Sequence, residues 1–166
     1  MKKIIIGVVI LLVVALVGVL AVPIVSVSTW RTDTALRLTD MYSATQENAD
    51  ATDAFLEKTE PSKADIAEEI ESVQSTKSKI EATARDIDTL GSNTVDVTGQ
   101  YADAEYLRNS MIATLVSLQE SYEQQVDVLN RQQQNGTSVE LADEYAKILE
   151  KISTEYTELE QLVNQL

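Results

Sequence analysis

The sequence predicts an all-α fold: an N-terminal transmembrane helix followed by an antiparallel up-down-up-down four-helix bundle, packed as a coiled-coil-like rod. Three observations point there. An unbroken run from Ile4 to Val25 contains only apolar residues, Gly and Pro. After it, apolar residues recur at alternating gaps of three and four along four segments, the period of one helix face. The chain holds only 5 Gly and 2 Pro, and no segment alternates with period two, which argues against a many-turned β protein. The expected organisation is a membrane anchor over residues 1–30 and an extracytoplasmic acidic bundle over residues 31–166.

The anchor comes first. A run of this length spans roughly 33 Å as a helix, close to a hydrocarbon core of about 30 Å. In lipid the backbone must satisfy its own hydrogen bonds, so a helix is the expected single span despite the many Val and Ile residues. Lys2 and Lys3 precede the run, whereas all 27 acids and 11 of the 13 bases follow it, so the remainder carries a formal charge of −16. Positive charge stays on the cytoplasmic side, which places the N-terminus inside and the acidic part outside. Trp30 and Arg31, an indole beside a cation, suit the far headgroup region. The anchor is thus bounded by Lys2, Lys3 and Ile4 at one end and by Val25, Trp30 and Arg31 at the other. The alternative is a secretory signal peptide cut after Val19-Leu20-Ala21, but such apolar regions usually run about 7–15 residues.

The first bundle helix is expected from about Thr29 to Lys58, with a stripe of Thr34, Leu38, Met41, Thr45, Ala49, Thr52 and Phe55. Three threonines make this stripe weak. The second helix has the clearest stripe, Ile66, Ile70, Val73, Lys77, Ile80, Ala84 and Ile87. Pro61 and the Ser62/Asp65 pair mark its start, and Gly91 is expected to end it with a positive φ. The third helix is expected from about Thr94 to Gln134, with Val97, Tyr101, Ala104, Arg108, Met111, Leu115, Leu118, Tyr122, Val126 and Leu129 inward, and a weak point at Gly99. Asn135-Gly136 stops it, and Thr137 with Glu140 reads as a capping box for the fourth helix. That helix carries Leu141, Tyr145, Ile148, Ile152, Tyr156, Leu159 and Val163. Acids stand four residues before bases at Asp33/Arg37, Glu81/Arg85, Asp127/Arg131 and Asp143/Lys147, the favoured order on a helix.

Composition removes whole classes of chemistry. The chain has no Cys and no His, which excludes disulfides, thiolate or imidazole metal sites, cysteine nucleophiles and Ser-His-Asp triads. A net charge of −14 disfavours nucleic acid as a partner. Clusters at Glu68, Glu69, Glu71 and at Glu155, Glu158, Glu160 fall mostly off the apolar stripes and read as solvated faces. No catalytic, cofactor-binding or metal-binding residue is assigned, and no enzyme activity is expected. Lys77 and Arg108 sit within apolar stripes as candidate buried charges, with snorkelling stems the simpler expectation. The tyrosines at 101, 106, 122, 145 and 156 read as core aromatics or as the lining of a ligand crevice. Asn135-Gly136-Thr137 matches an N-glycosylation sequon at a turn.

In outline this layout is similar to extracytoplasmic sensor bundles and to single-span LemA-like proteins, without a motif that joins it to either. The expected role is a structural or interaction protein, a scaffold or complex subunit partnered by membrane lipid and by other proteins or copies of itself through its helical stripes. The alternatives are a sensor-like ligand-binding module and a filament subunit held by its apolar N-terminal helix.

Overall fold

The computed structural model describes residues 25–95 and 101–166. Four long helices dominate: α1 (Val27–Leu56), α2 (Lys63–Ser92), α3 (Tyr101–Asn135) and α4 (Val139–Val163). Two short strands, β1 (Val25–Ser26) and β2 (Thr94–Val95), form a parallel ladder that pairs Val25 with Thr94 and Ser26 with Val95. The fold is therefore all-α, and the ladder is a stitch at one end of it. Among the described residues no helix is long and apolar enough to cross a membrane. The expected span, with Lys2, Lys3 and Ile4, lies outside the described residues. Its last member, Val25, belongs to β1.

Side-chain pairs show that each helix runs opposite to the next. Thr52 meets Glu69 and Arg37 meets Asp86, so α1 and α2 are antiparallel. Gln133 reaches the Lys63 carbonyl across α2 and α3. Gln125 meets Tyr145 across α3 and α4. At the ladder end, Arg31 donates to the Leu166 carbonyl at 3.4 Å, which closes the ring between α1 and α4. The result is the up-down-up-down bundle, a rod roughly 45 Å tall at about 1.5 Å per helical residue.

Local chemistry sets the helix ends. Ser26 caps α1 by accepting from the Thr29 N–H at 3.2 Å. Ser62 caps α2 at the expected start and forms a full capping box with Asp65: the Ser62 hydroxyl accepts from the Asp65 N–H at 3.2 Å, and the Asp65 carboxylate accepts from the Ser62 N–H at 2.7 Å. The Lys58 ammonium at 2.6 Å and the Ser62 donors hold the Asp65 carboxyl well below the usual carboxylate range. Helix α4 is capped by Ser138, which accepts from the Leu141 N–H, and not by Thr137. Gly136 adopts φ 82° after α3, where its N–H donates to the Gln132 carbonyl at 2.8 Å.

Gly91 departs from expectation. It lies inside α2, which ends at Ser92 with Asn93 as its C-cap, so the residue supplies space and not a left-handed turn. The Arg108 side chain lies against it, and a Cβ on Gly91 would collide with Arg108 Cδ. Trp30 also departs. It is only 1% exposed and packs in the bundle core, so it is not available to a headgroup layer. Leu107, and not Arg108, takes the core position on α3.

The core is apolar along α3 from Ala104 to Leu118 and mixed elsewhere, with Ser121, Gln125 and Gln132 buried further along α3. Met111, Leu115, Leu118 and Leu129 are fully buried on α3, opposite Val73, Ile80 and Ile87 of α2 and Leu159 of α4. Between its buried isoleucines and Val73, α2 turns inward Glu69, Thr76 and Thr83, not the expected Ile70, Lys77 and Ala84, which are half-buried. Helix α1 buries Thr34, Thr45, Asn48 and Thr52 among its apolar residues. From Thr45 to Thr52 every residue that α1 buries is polar.

Candidate functional site

Three of the four seams are closed by close backbone approach, α1 with α2, α2 with α3, and α3 with α4, whereas α1 and α4 stand further apart. Two aromatic bridges span that wide seam. Tyr42 of α1 meets Tyr156 of α4 with ring centroids 6.0 Å apart, and Phe55 of α1 meets Tyr145 of α4 at 6.1 Å. Between the bridges the inward residues of α1 are Thr45, Asn48 and Thr52, too short to fill the space. A crevice of about 470 Å³ results, open to solvent, walled by α1 and α4 and floored by Tyr122 and Gln125 of α3. That volume falls within the range of small-molecule sites, about 300–1,000 Å³.

A buried hydrogen-bonded layer forms the Phe55 end. The Gln125 amide donates to the Tyr145 hydroxyl at 2.8 Å, and that hydroxyl donates to Glu69 Oε1 at 3.0 Å. The Thr52 hydroxyl donates to the same oxygen at 2.6 Å. One residue from each helix thus joins a single chain of donors and acceptors around a carboxylate that is 3% exposed. One layer further along, the Asn48 amide donates to the Ser72 hydroxyl at 2.9 Å. At the other end, the Tyr122 and Tyr156 hydroxyls lie 3.2 Å apart.

The phenols here resist ionisation. Burial, then the Glu160 charge and then Tyr156 push Tyr42 up to about 12. Burial also drives Tyr122, Tyr145 and Tyr156 upward, with the Glu69 carboxylate adding to Tyr145. All four hydroxyls keep their protons near neutral pH. Two buried polar atoms of the crevice lining have no partner among the described residues: the Tyr42 hydroxyl and the Gln125 carbonyl oxygen. Such orphans are uncommon in folded proteins and call for an explanation.

The residues singled out in the sequence separate into several places. Tyr122 and Tyr156 line the crevice, and Tyr145 forms part of the layer behind it. Tyr106 is exposed. Lys77 is half-buried on α2 and its ammonium pairs with Glu123 at 3.2 Å, away from the crevice. Arg108 is half-buried over Gly91, and its guanidinium donates to Asn109 Oδ1. Asn135 is exposed at the end of α3. The expectation of solvated acids fails at Glu69 and Glu155, both buried; Glu155 accepts from Ser117 and lies 3.7 Å from the Lys151 ammonium. Sequence reading missed Tyr42, Asn48 and Gln125. The available signal was the threonine-rich stripe of α1, which marks a face without the bulk to close a seam.

A second groove on the outer face of α3 and α4 is lined by Glu123, Asp127, Glu144, Lys147 and Lys151, among others. Beside it Arg131 pairs with Asp127 at 3.0 Å and with Glu144, so neighbouring charges answer one another. Among the described residues no group of three or more acidic side chains is placed to hold a metal ion. Fold and crevice together define a four-helix bundle with one open seam. No protein-family model, curated protein or solved structure matches the chain.

Proposed function

We propose that this chain is a single-pass, membrane-anchored, extracytoplasmic helical bundle that acts by binding, with the crevice between α1 and α4 as its ligand site. The observation that carries the reading is the crevice itself: a framed gap of about 470 Å³ whose lining includes a buried hydroxyl and a buried amide oxygen without partners. An incoming molecule that brings hydrogen-bond partners would complete these two groups, which suits a binding site. The membrane part of the proposal rests on the sequence, namely Lys2, Lys3, the run from Ile4 to Val25 and the acidity of everything after it.

Thermal unfolding of the full chain in mild detergent, screened against a broad library of small polar molecules, tests the binding role. Stabilisation by one chemical class is the expected result, and a flat screen removes the reading. Protease treatment of right-side-out vesicles tests the orientation; protection of the bundle would overturn it.

A second reading, an interaction subunit or scaffold, is favoured by the exposed apolar side chains of Leu36, Leu56, Tyr106, Val116 and Val139. It predicts self-association of the full chain in detergent-corrected light scattering, and a strictly monomeric particle would oppose it. In a host with the machinery, the exposed Asn135 sequon would carry a glycan on the outer side.

A further inference from the structure

We infer that the crevice selects organic ammonium ions, an inference that rests on the crevice being a ligand site. The lining has three tyrosines, Tyr42, Tyr122 and Tyr156, and one carboxylate, Asp53, at its exposed rim. It contains no Lys and no Arg. An anion entering it would find no counter-charge inside a chain of net charge −14. A cation finds the opposite, because aromatic faces attract positive charge and the acidic surface raises its local concentration.

The orphaned atoms sharpen the choice. Gln125 is 0% exposed, and its amide N–H is committed to Tyr145, which fixes the carbonyl oxygen as the group left over. That oxygen only accepts hydrogen bonds, so its partner must bring an N–H or O–H. Tyr42 stays protonated and its oxygen is likewise free to accept. An ammonium group supplies up to three donors and the charge together, whereas a hydroxyl supplies one donor and no charge. The short Thr45, Asn48 and Thr52 side chains leave room for the carbon skeleton beside Leu149 and Ile152.

Calorimetric titration of the full chain in detergent tests this with three probes that share one ring: cyclohexylammonium, cyclohexanol and cyclohexanecarboxylate. The buffer contains enough salt to screen the acidic surface. The ammonium is expected to bind about tenfold or more tightly than the alcohol, and the carboxylate not at all. Gln125→Leu, which removes the buried acceptor, should weaken the ammonium roughly 10- to 100-fold, the range for a hydrogen bond to a charged group. Tyr42→Phe, which keeps the ring and removes the accepting oxygen, should weaken it about two- to fivefold, and Tyr42→Ala, which removes both, about tenfold or more. Tyr42→Phe removes only an unpartnered hydroxyl, so it remains informative if Gln125→Leu does not fold. Equal binding of ammonium and alcohol, tighter binding of the carboxylate, no binding of the ammonium, or a Tyr42→Ala protein that binds like the parent would each overturn the inference. The broader claim of a ligand site falls separately, on the flat library screen.

Discussion

Glu69 offers the most direct test of how the bundle is held together, because one buried carboxylate oxygen is the meeting point of donors from two other helices. Replacing it by Ala removes the acceptor from the Thr52 hydroxyl at 2.6 Å and from the Tyr145 hydroxyl at 3.0 Å. Thr52 and Tyr145 are 6% and 3% exposed, so water does not readily take over. Hydrogen bonds to a charged group contribute about 1.5–3 kcal/mol each. Tyr145 keeps its bond from Gln125, and the substitution also relieves the cost of burying a carboxylate, which offsets part of the loss. The net expectation is a destabilisation of about 2–4 kcal/mol for Glu69→Ala. Glu69→Gln keeps an acceptor at the same place and should cost about 1 kcal/mol. Urea titrations of the full chain in detergent, followed by helical circular dichroism, measure both. If Glu69→Ala is as stable as the parent, or if Ala and Gln are equivalent, the carboxylate is a tolerated passenger and the reasoning fails.

Other outcomes follow from single features. Leu118→Ala, at a fully buried position on α3, should cost about 2–5 kcal/mol in the same assay. Gly91→Ala forces the flexible Arg108 stem aside; combined with Arg108→Ala, the added methyl should stabilise the bundle by about 0.5–1 kcal/mol, and a lower melting temperature than Arg108→Ala alone would contradict that. Because burial raises Tyr42 from 10.0 to about 12, the stability it contributes is intact below pH 10 and is lost as pH rises through 12; near-ultraviolet phenolate absorbance should therefore climb together with loss of helix. Asp65 has the opposite sign: its lowered value gives stability above the ordinary 3.8 that disappears as pH falls further, and Asp65→Asn should flatten that acid limb.

Much of the bundle was legible because helix periodicity is a property of single segments. The periodicity of α2 places Ile66, Val73, Ile80 and Ile87 in the core, and Ser62 with Asp65 marks its start, as Asn135-Gly136 marks the stop of α3. The errors have a common origin. The regular spacing of the stripe favours Ile70, Lys77 and Ala84 over Glu69, Thr76 and Thr83, since nothing within α2 tells that one flank meets a polar helix. The α1 residues Thr52 and Asn48 supply that information by pairing with Glu69 and Ser72. At Gly91 the sequence shows a residue free to take a positive φ, whereas the structure uses its lack of a side chain, because Arg108 comes from a segment seventeen residues away. At Trp30 the neighbouring Arg31 suggests a headgroup position, yet α1 already begins at Val27 and carries the indole inward. The crevice was the least legible feature. It is a difference between two seams, created by short side chains on α1 and two aromatic bridges, and no single stripe records a distance between helices.

The stitch of Val25–Ser26 to Thr94–Val95 has a mechanical consequence. Tension arriving through the N-terminal residues would otherwise peel α1 away from its neighbours one turn at a time. Because the first two residues before α1 share backbone hydrogen bonds with the connector that follows α2, the pull is divided between both hairpins of the rod. A leash fastened at this point would load the connector after α2 together with α1.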